Sequence, residues 1–248
     1  MRTHRPGRHE LGQNFLIDLN TVETVVKLVA GTDGPIIEFG TGDGALTLPL
    51  ERLGRPLTGV EIDARRAARL AGRVRPSTEI VTADFLRFPL PKTSYVLVGN
   101  LPFHLTTATL RHVLAAPGWT DAVLLVQWEV ARRRAGVGGA TMMTAQWWPW
   151  FDFQLAGRVP AAAFRPRPGV DGGLLTMTRR ERPLVDDADR ARYQDFVRRV
   201  FTGNGREIAS GALPKRLTAR QWAEAFRLRR GSPARARGAW SNRTAPRR

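Results

Sequence analysis

Short apolar runs alternate with amphipathic helical stretches through the first half of the chain, and this alternation constrains the fold more than any other feature. Strand-like runs are predicted at residues 35–39, 57–62, 79–82, 95–98 and 122–127, and helices at 21–30, 45–53, 64–74 and 106–114. A strand–helix–strand rhythm of this kind builds βαβ units. The sequence therefore predicts an α/β protein whose parallel sheet is covered by helices on both faces.

The rhythm changes after residue 151. Two strand-like stretches, residues 151–159 and 174–179, flank a Pro-rich loop and are expected to complete the sheet as a hairpin-like pair at one edge. From residue 183 the chain is polar and helical. We therefore expect a flexible basic N-terminus (1–13), a sheet domain (14–182), a small helical domain (183–230) and a disordered Arg-rich tail (231–248).

The charge of the chain indicates its partner. Thirty-nine Lys and Arg against 22 Asp and Glu give a net charge of +17, and only three of the cations are lysine. Residues 183–248 alone hold 16 basic and 6 acidic side chains. Such an excess suits a polyanion, because each neutralised phosphate releases condensed counterions. The alternative is a basic protein that binds no nucleic acid.

The absence of cysteine excludes several kinds of chemistry. A chain without cysteine has no disulfide, no thiol nucleophile and no Cys-based zinc or iron–sulfur site. The four histidines show no metal-ligand spacing, so we expect no metal. No apolar run reaches the roughly 18 residues of a membrane span, and no secretory signal opens the sequence. We therefore expect a cytoplasmic protein that does not contact membranes.

A glycine-rich segment lies between the first predicted strand of the sheet and the next helix. It reads Glu38-Phe39-Gly40-Thr41-Gly42-Asp43-Gly44, which differs from the G-x-G-x-x-G pattern of dinucleotide-binding proteins. Glu38 and Asp43 place negative charge where a pyrophosphate would sit. A cationic ligand without phosphate, such as S-adenosylmethionine, fits better. The alternative is a tight turn of purely structural role.

Two acids follow the next two predicted strands. Glu61 lies about 20 residues after the glycine loop, where a doubly wound sheet places a carboxylate on ribose hydroxyls. Asp84 is placed to accept a hydrogen bond from the exocyclic amine of an adenine. We include their neighbours Ile62 and Phe85 in the predicted cofactor site. The alternatives are a surface acid for Glu61 and a turn or helix cap for Asp84.

The segment Asn100-Leu101-Pro102-Phe103 follows the fourth strand and suits methylation of an exocyclic amine. The lone pair of such an amine is delocalised into the ring, and two hydrogen-bond acceptors can hold the nitrogen toward sp³ character. The Asn100 side-chain carbonyl and the Leu101 main-chain carbonyl are the candidates, with Pro102 keeping the turn rigid. Phe103 can stack on a flipped base. As a bare tetrapeptide this is also a common turn.

Taken together, the motifs resemble those of the erythromycin-resistance (Erm) rRNA adenine N6-methyltransferases, within the wider family of rRNA adenine dimethylases. Four blocks match in order: residues 11–16, 38–47, 100–103 and 164–168. The similarity runs from about residue 9 to 180 and more weakly to about 230. This chain departs from many basic members in using Arg almost wherever Lys is expected, and in its short C-terminal part.

The resemblance implies a fold and a set of site residues. The fold is a Rossmann-like S-adenosylmethionine-dependent methyltransferase sheet with a small helical C-terminal domain, which would bind RNA. The cofactor-binding set is Asn14, Leu16, Gly40, Gly42, Glu61, Ile62, Asp84, Phe85 and Asn100. The catalytic set is Asn100, Leu101, Pro102, Phe103 and Phe164, with the target base between the two phenylalanines.

The function that this resemblance implies is methyl transfer from S-adenosylmethionine to N6 of an adenine in 23S rRNA by a monomeric enzyme, conferring resistance to macrolide-type antibiotics. Two alternatives stay open. One is a non-catalytic RNA-binding or transcription factor with a methyltransferase fold, against which the intact glycine loop and Asn100 speak. The other is DNA adenine methylation, for which we would expect an Asp-Pro-Pro-Tyr-like turn. The aromatic run Trp147-Trp148-Pro149-Trp150-Phe151 belongs either to the core or to an RNA-stacking surface.

Overall fold

Strands from both halves of the chain form the central sheet. The computed structural model of the protein describes residues 14–203 and 213–231. In chain order the strands are β1 (Phe15–Leu16), β2 (Ile36–Phe39), β3 (Leu57–Glu61), β4 (Thr78–Thr82), β5 (Tyr95–Asn100), β6 (Trp119–Gln127), β7 (Phe151–Val159), β8 (Phe164–Arg165) and β9 (Gly172–Arg179). Seven of them form one sheet in the order β4-β3-β2-β5-β6-β9-β7, while β1 pairs with β8.

The sheet has a parallel part and an antiparallel edge, as the sequence predicts. Strands β2 to β6 pair in parallel, and β9 pairs antiparallel with both β6 and β7. Because the strand order reverses between β2 and β5, a crevice opens there at the carboxyl ends of the strands, which is where open α/β sheets bind ligands. The predicted edge pair of residues 151–159 and 174–179 is confirmed.

Helices cover both faces of the sheet. They are α1 (Leu19–Ala30), α2 (Thr47–Leu50), α3 (Ala64–Ala71), α4 (Thr106–Ala115), α5 (Trp128–Arg134), α6 (Met142–Trp147), α7 (Arg190–Thr202) and α8 (Ala219–Gly231). Helices α1 and α2 pack in one buried cluster with Ile36, Val96 and Val98. Helices α4, α7 and α8 pack in a second cluster with Ile37, Tyr95 and Leu97. Neighbouring residues of a strand point to opposite faces, so these alternating side chains fill two cores.

The helix predicted at residues 45–53 is much shorter than expected. Its α-helical part is the four residues of α2, followed by a 3-10 turn at Glu51–Leu53. The glycine loop continues through Gly44, whose φ of +89° is incompatible with a right-handed helix. Helical backbone therefore begins only after the loop, and Gly54 ends it in the left-handed region.

Sequence periodicity missed α5 and α6, which join β6 to β7. The aromatic run that follows α6 is mainly core. Trp150 and Phe151 are fully buried, and Phe151 stacks on Trp119 with ring centroids 4.6 Å apart. Trp147 and Trp148 are partly buried against the same cluster. Among the alternatives for this run, the core role is the one the structure supports.

The C-terminal helices are built as their apolar pattern predicts. Tyr193, Phe196 and Val200 of α7 are buried, and Trp222 and Phe226 of α8 pack against them in the cluster that includes the sheet. The boundary at residue 183 remains a prediction. Helix α8 extends to Gly231, whereas the predicted flexible terminus (1–13) and residues 232–248 of the predicted tail lie outside the described residues. None of the helices in the described ranges is long and apolar enough to span a membrane.

Candidate active site

A cavity of about 370 Å³ lies at the carboxyl ends of β2 and β5. Of the predicted cofactor-binding residues, Leu16, Gly40, Gly42 and Asn100 line it. Gly40 and Gly42 adopt φ values of +71° and +56°, which a side chain would strain. A Cβ on Gly40 would lie 3.5 Å from the Asn100 carbonyl oxygen, and one on Gly42 would lie 3.1 Å from the Phe15 ring. The loop backbone therefore forms a wall that only glycine permits.

Glu61 fixes the glycine loop to the end of β3. Its side chain is 1% exposed, so the alternative of a surface acid is wrong. One carboxylate oxygen accepts a hydrogen bond from the Gly42 N–H at 2.8 Å, and the other accepts from the Asp63 N–H at 2.9 Å. A carboxylate offers about four lone-pair sites, so these two bonds leave capacity for a ligand hydroxyl. The predicted contact of Glu61 with a ribose stays a prediction.

The electrostatics of the loop differ from the sequence expectation. Glu38 is fully buried, and burial, with a contribution from the Glu61 carboxylate, raises the pKa of Glu38 to about 8. Glu38 is therefore mostly protonated at neutral pH in the absence of a ligand, and its Oε2 has no hydrogen-bond partner. Asp43 is exposed and pairs with Arg66 at 2.6 Å. The negative charge of Asp43 is thus paired with Arg66, and Glu38 acquires charge only when a cation or a higher pH favours it.

The N-terminal strand β1 covers the cavity, and it is held there by Phe15 and Arg66, which the sequence analysis did not assign to the site, and by the predicted residue Asn14. The Phe15 ring lies between the Gly42 backbone and the Arg66 guanidinium, which is 4.2 Å from the ring centroid. The Asn14 main-chain carbonyl accepts a hydrogen bond from Asn100 Nδ2 at 2.7 Å. This bond fixes the orientation of the Asn100 amide and turns Oδ1 away from Asn14, so that Oδ1 can accept elsewhere.

The Asn100–Phe103 turn is rigid and lies at the end of β5. The Leu101 side chain is buried, and its N–H donates to the Leu125 carbonyl of β6 at 2.9 Å. The Pro102 carbonyl accepts from the Leu105 N–H, and this bond closes the short 3-10 turn Phe103–Leu105 before α4. Two main-chain hydrogen bonds thus hold the turn at Leu101 and Pro102. The two acceptors of the predicted chemistry, the Asn100 side-chain oxygen and the Leu101 carbonyl, belong to adjacent residues of this turn.

Phe103 and Phe164 meet beside this turn. Their ring centroids are 6.1 Å apart and the ring planes are inclined at 73°, so the rings touch edge to face. Phe164 is 2% exposed, whereas Phe103 is partly exposed. A base stacked between two rings needs parallel faces, and this edge-to-face pair does not provide them. The predicted position of the base between the two rings requires Phe103 to turn, and it stays a prediction.

The remaining predicted cofactor residues lie at the ends of β3 and β4, outside the 370 Å³ cavity. Ile62 is 52% exposed, which leaves its side chain available to an apolar ligand surface. Asp84 caps the 3-10 turn Phe85–Arg87, because its Oδ1 accepts from the Leu86 N–H at 3.0 Å. One face of Phe85 is covered by Phe39 at 4.0 Å. Asp84 therefore has the capping role named as its alternative, and its second oxygen faces the Arg87 guanidinium at 3.9 Å.

Comparison with known proteins decides the family. A profile of the ribosomal RNA adenine dimethylases matches residues 5–229. The chain belongs to this family. An rRNA adenine N-6-methyltransferase of Corynebacterium diphtheriae is 55% identical over 209 residues, which is 84% of this chain and 83% of that protein. The mycinamicin-resistance protein MyrB of Micromonospora griseorubida is 42% identical over 247 residues, covering 90% of this chain and 79% of its own length.

Solved structures agree with this assignment. The crystal structure of the 23S rRNA methyltransferase ErmE has a TM-score of 0.78 and 31% identity, and the match covers 86% of this chain and 98% of that one. A dimethyladenosine transferase from Plasmodium falciparum shares the fold, with a TM-score of 0.67 and 20% identity over 76% of this chain and 70% of that one. This dimethylase-family protein is thus an enzyme that methylates adenine in rRNA with S-adenosylmethionine as the methyl donor.

The residues of the cavity fit that donor. Bound S-adenosylmethionine supplies an electrophilic methyl group on a positively charged sulfur. The buried, unpartnered Glu38 oxygen and the Glu61 carboxylate favour a cationic ligand, and the bare backbone of Gly40 and Gly42 permits close approach. Within residues 14–203 and 213–231, no group of three or more His, Asp or Glu side chains comes together to hold a metal ion.

Proposed function

We propose that this enzyme transfers methyl groups to N6 of one adenine in 23S rRNA and thereby protects ribosomes from macrolide-type antibiotics. Two relatives of this chain support both parts, since one is named for N-6 methylation of rRNA adenine and another for mycinamicin resistance. Small-subunit rRNA methyltransferases of the same family are more distant, with 32% identity for the Chlorobaculum tepidum protein.

The observation that carries the proposal is the fixed orientation of Asn100. Its Nδ2 donates to the Asn14 carbonyl, so Oδ1 faces away from that bond. The Leu101 carbonyl belongs to the following residue. Two such acceptors would bind the two hydrogens of an exocyclic amine and hold its lone pair toward the methyl donor. Because the turn is anchored to β6 before substrate arrives, catalysis consists mainly of positioning. No residue acts as a strong base in this scheme.

The division of the chain supports the same function. Residues 14–182 would hold the donor and the target base, and residues 183–230 would bind RNA beside them. The enzyme is expected to act as a monomer in the cytoplasm without a metal ion. A non-catalytic RNA-binding role is disfavoured, because it would not require a loop whose positive φ values exclude side chains, or the oriented Asn100.

Expression in a macrolide-sensitive bacterium tests the proposal. We expect mass spectrometry of rRNA digests to show N6-methylated adenine at one position of 23S rRNA, together with an increased inhibitory concentration of macrolide. The Asn100→Ala variant, expressed at the same level, should give neither. Methylation confined to 16S rRNA, or resistance without methylation, would contradict the proposed substrate.

A further inference from the structure

Trp128 lies on the catalytic edge of the sheet, and none of the chemistry described above uses it. It is the first residue of α5, directly after Gln127 at the end of β6, and β6 is the neighbour of β5. The side chain is partly exposed, in contrast to the fully buried Trp119, Trp150 and Trp222. In the described part of the chain, no group accepts a hydrogen bond from its indole N–H. A partly exposed tryptophan with a free donor at this edge is suited to a ligand.

Adjacent glycines place Trp128 close to the predicted base site. A Cβ on Gly172 would lie 3.1 Å from the Phe164 ring, and a Cβ on Gly173 would lie 3.2 Å from the Trp128 ring. Because neighbouring residues of a strand point to opposite faces, the two rings pack on opposite sides of the start of β9. The adjacent glycines Gly172 and Gly173 therefore leave room for both aromatic rings.

Two arginines surround the Trp128 ring and are themselves held in place. The Arg158 guanidinium lies 5.3 Å from the ring centroid and that of Arg132 lies 6.0 Å from it. Asp171 binds Arg158 Nε and Nη2 at 2.7 Å each, and its other oxygen accepts from the Ala161 N–H at 2.8 Å. The Asp171 main-chain carbonyl also accepts from the Trp128 N–H at 2.9 Å. Asp171 thus ties the tryptophan and the arginine into one rigid unit.

The charge around this unit favours a phosphodiester chain. Two arginines after Phe164 are exposed: Arg165, the last residue of β8, and Arg167, on the loop between β8 and β9. Together with Arg132 and Arg158 they give four cations at this edge, against the two acids Asp171 and Glu129, each of which already pairs with an arginine. A flat aromatic ring among arginines is the combination that binds unstacked nucleotides, because bases stack on the ring and phosphates pair with the cations.

We propose that Trp128, Arg132 and Arg158 form a stacking platform for a nucleotide next to the target adenine in the same RNA strand. This inference rests on the proposed function and adds a second aromatic contact to the one at Phe103. The platform holds the flanking base outside the duplex, so that the target adenine is presented to Asn100. Trp128 would act on binding of the RNA and would not contact the reacting amine.

Three variants test the platform by their KM for protein-free 23S rRNA. We expect Trp128→Leu to raise this KM roughly tenfold, as loss of a base–aromatic stack does, while Trp128→Phe stays within about threefold of the parent because it keeps a ring face. The affinity for S-adenosylmethionine should not change in either variant. The matched control is Trp148→Leu. Trp148 is a partly buried tryptophan before the first residue of β7, away from the carboxyl ends of the parallel strands, so its loss should leave KM unchanged.

Two results would overturn the platform. One is an unchanged KM for protein-free 23S rRNA in Trp128→Leu. If that variant impaired only the methylation of ribosomal particles, Trp128 would contact a protein partner. The other is an equal loss in Trp128→Leu and Trp128→Phe, which would indicate structural support. If the parent enzyme itself transfers no methyl group to 23S rRNA, it is the proposed function that fails.

Crosslinking of the unmodified enzyme provides a measurement that does not depend on any variant folding. The probe is 23S rRNA transcribed with 4-thiouridine, irradiated in complex with the full-length protein. We expect a crosslinked peptide that contains Trp128, together with one that contains Phe103. Crosslinking at Phe103 without any at Trp128 would overturn the platform.

Discussion

The two halves of the catalytic edge, on either side of Asn100, differ in charge and in burial. On one side, the ends of β2 and β3 hold the buried carboxyl groups of Glu38 and Glu61, which we call the acidic half. On the other side, the ends of β6 and β7 hold Trp128 and the exposed Arg158, which we call the basic half. In the proposed function, a cationic donor and a polyanionic acceptor would thereby be directed to opposite sides of one asparagine.

This difference shows how the fold separates two binding tasks. A small cation is best bound by buried carboxylates, because low dielectric strengthens the attraction. A long polyanion is best bound by exposed arginines, whose contacts spread over several phosphates and weaken with salt. The four predictions below test this separation, in order from the largest expected effect on methyl transfer to the smallest.

Substitution of Asn100 should abolish the methyl transfer that takes place between the two halves. We expect Asn100→Ala to lower the single-turnover rate about a hundredfold or more, the range found when one positioned transition-state hydrogen bond is removed. The affinity for S-adenosylmethionine, measured by calorimetry, should fall only modestly, since Asn100 acts mainly on the target amine. Equal turnover in variant and parent would show that the amine is held by other groups.

Substitution of Glu61 should affect the acidic half alone. We expect Glu61→Ala to raise the dissociation constant for S-adenosylmethionine about thirtyfold, since hydrogen bonds to a charged group contribute about 1.5–3 kcal/mol. The melting temperature should also fall, because the Gly42 and Asp63 N–H groups lose their acceptor. KM for RNA should stay unchanged. Glu79→Ala removes an exposed glutamate from the neighbouring strand and serves as the control.

Substitution of Phe103, which follows β5 and contacts Phe164, should affect the use of RNA and leave the acidic half unchanged. We expect Phe103→Leu to lower kcat/KM for rRNA about tenfold through lost stacking, and Phe103→Tyr to have a small effect because the ring face is kept. The affinity for S-adenosylmethionine should not change in either variant. If Phe103→Leu matched the parent, the target base would not stack on this ring.

Local patterns were enough to predict most of the fold. The strand-like runs predicted at residues 35–39 and 57–62 correspond to β2 and β3, and the alternation of such runs with helices indicates the parallel part of the sheet. The length of α2 was not predictable from periodicity, because the positive φ of Gly44 depends on how the loop closes. Helix α5 was missed because its apolar face is short and interrupted by arginines.

The sequence named the candidate site residues individually, but it did not predict the contacts between them. Glu61, Asn100 and the glycine loop stand at the carboxyl ends of strands, where topology alone brings them together. The hydrogen bond from Asn100 to Asn14 joins residues 86 positions apart, and the contact of Phe15 with Arg66 joins two separate elements. Contacts of that kind leave no local signal. The charge of Glu38 depends on its burial, which the sequence did not reveal.

Glu38 is expected to have the smallest effect on methyl transfer at neutral pH and a clear effect on the pH dependence of stability. Its pKa is raised from an ordinary value near 4.5 to about 8 in the folded protein. The folded state therefore binds this proton more tightly than the unfolded state does. The stability that this proton contributes is fully present below about pH 4.5 and is lost progressively as the pH rises through 8.

The matched pair of Glu38→Gln and the parent tests this sign. Glutamine is neutral at every pH and similar in size, so we expect its unfolding free energy to lack the decline that the parent shows between about pH 5 and 8, which amounts to a few kcal/mol. Glu23→Gln, an exposed position on α1, is the control and should follow the parent.

S-adenosylmethionine should bind the parent more tightly as the pH rises toward 8, because its positive charge favours the ionised Glu38, whereas binding to Glu38→Gln should vary less. Parallel stability curves for Glu38→Gln and the parent would mean that Glu38 is already charged in the free protein, and the acidic half would then attract the donor before any proton is lost.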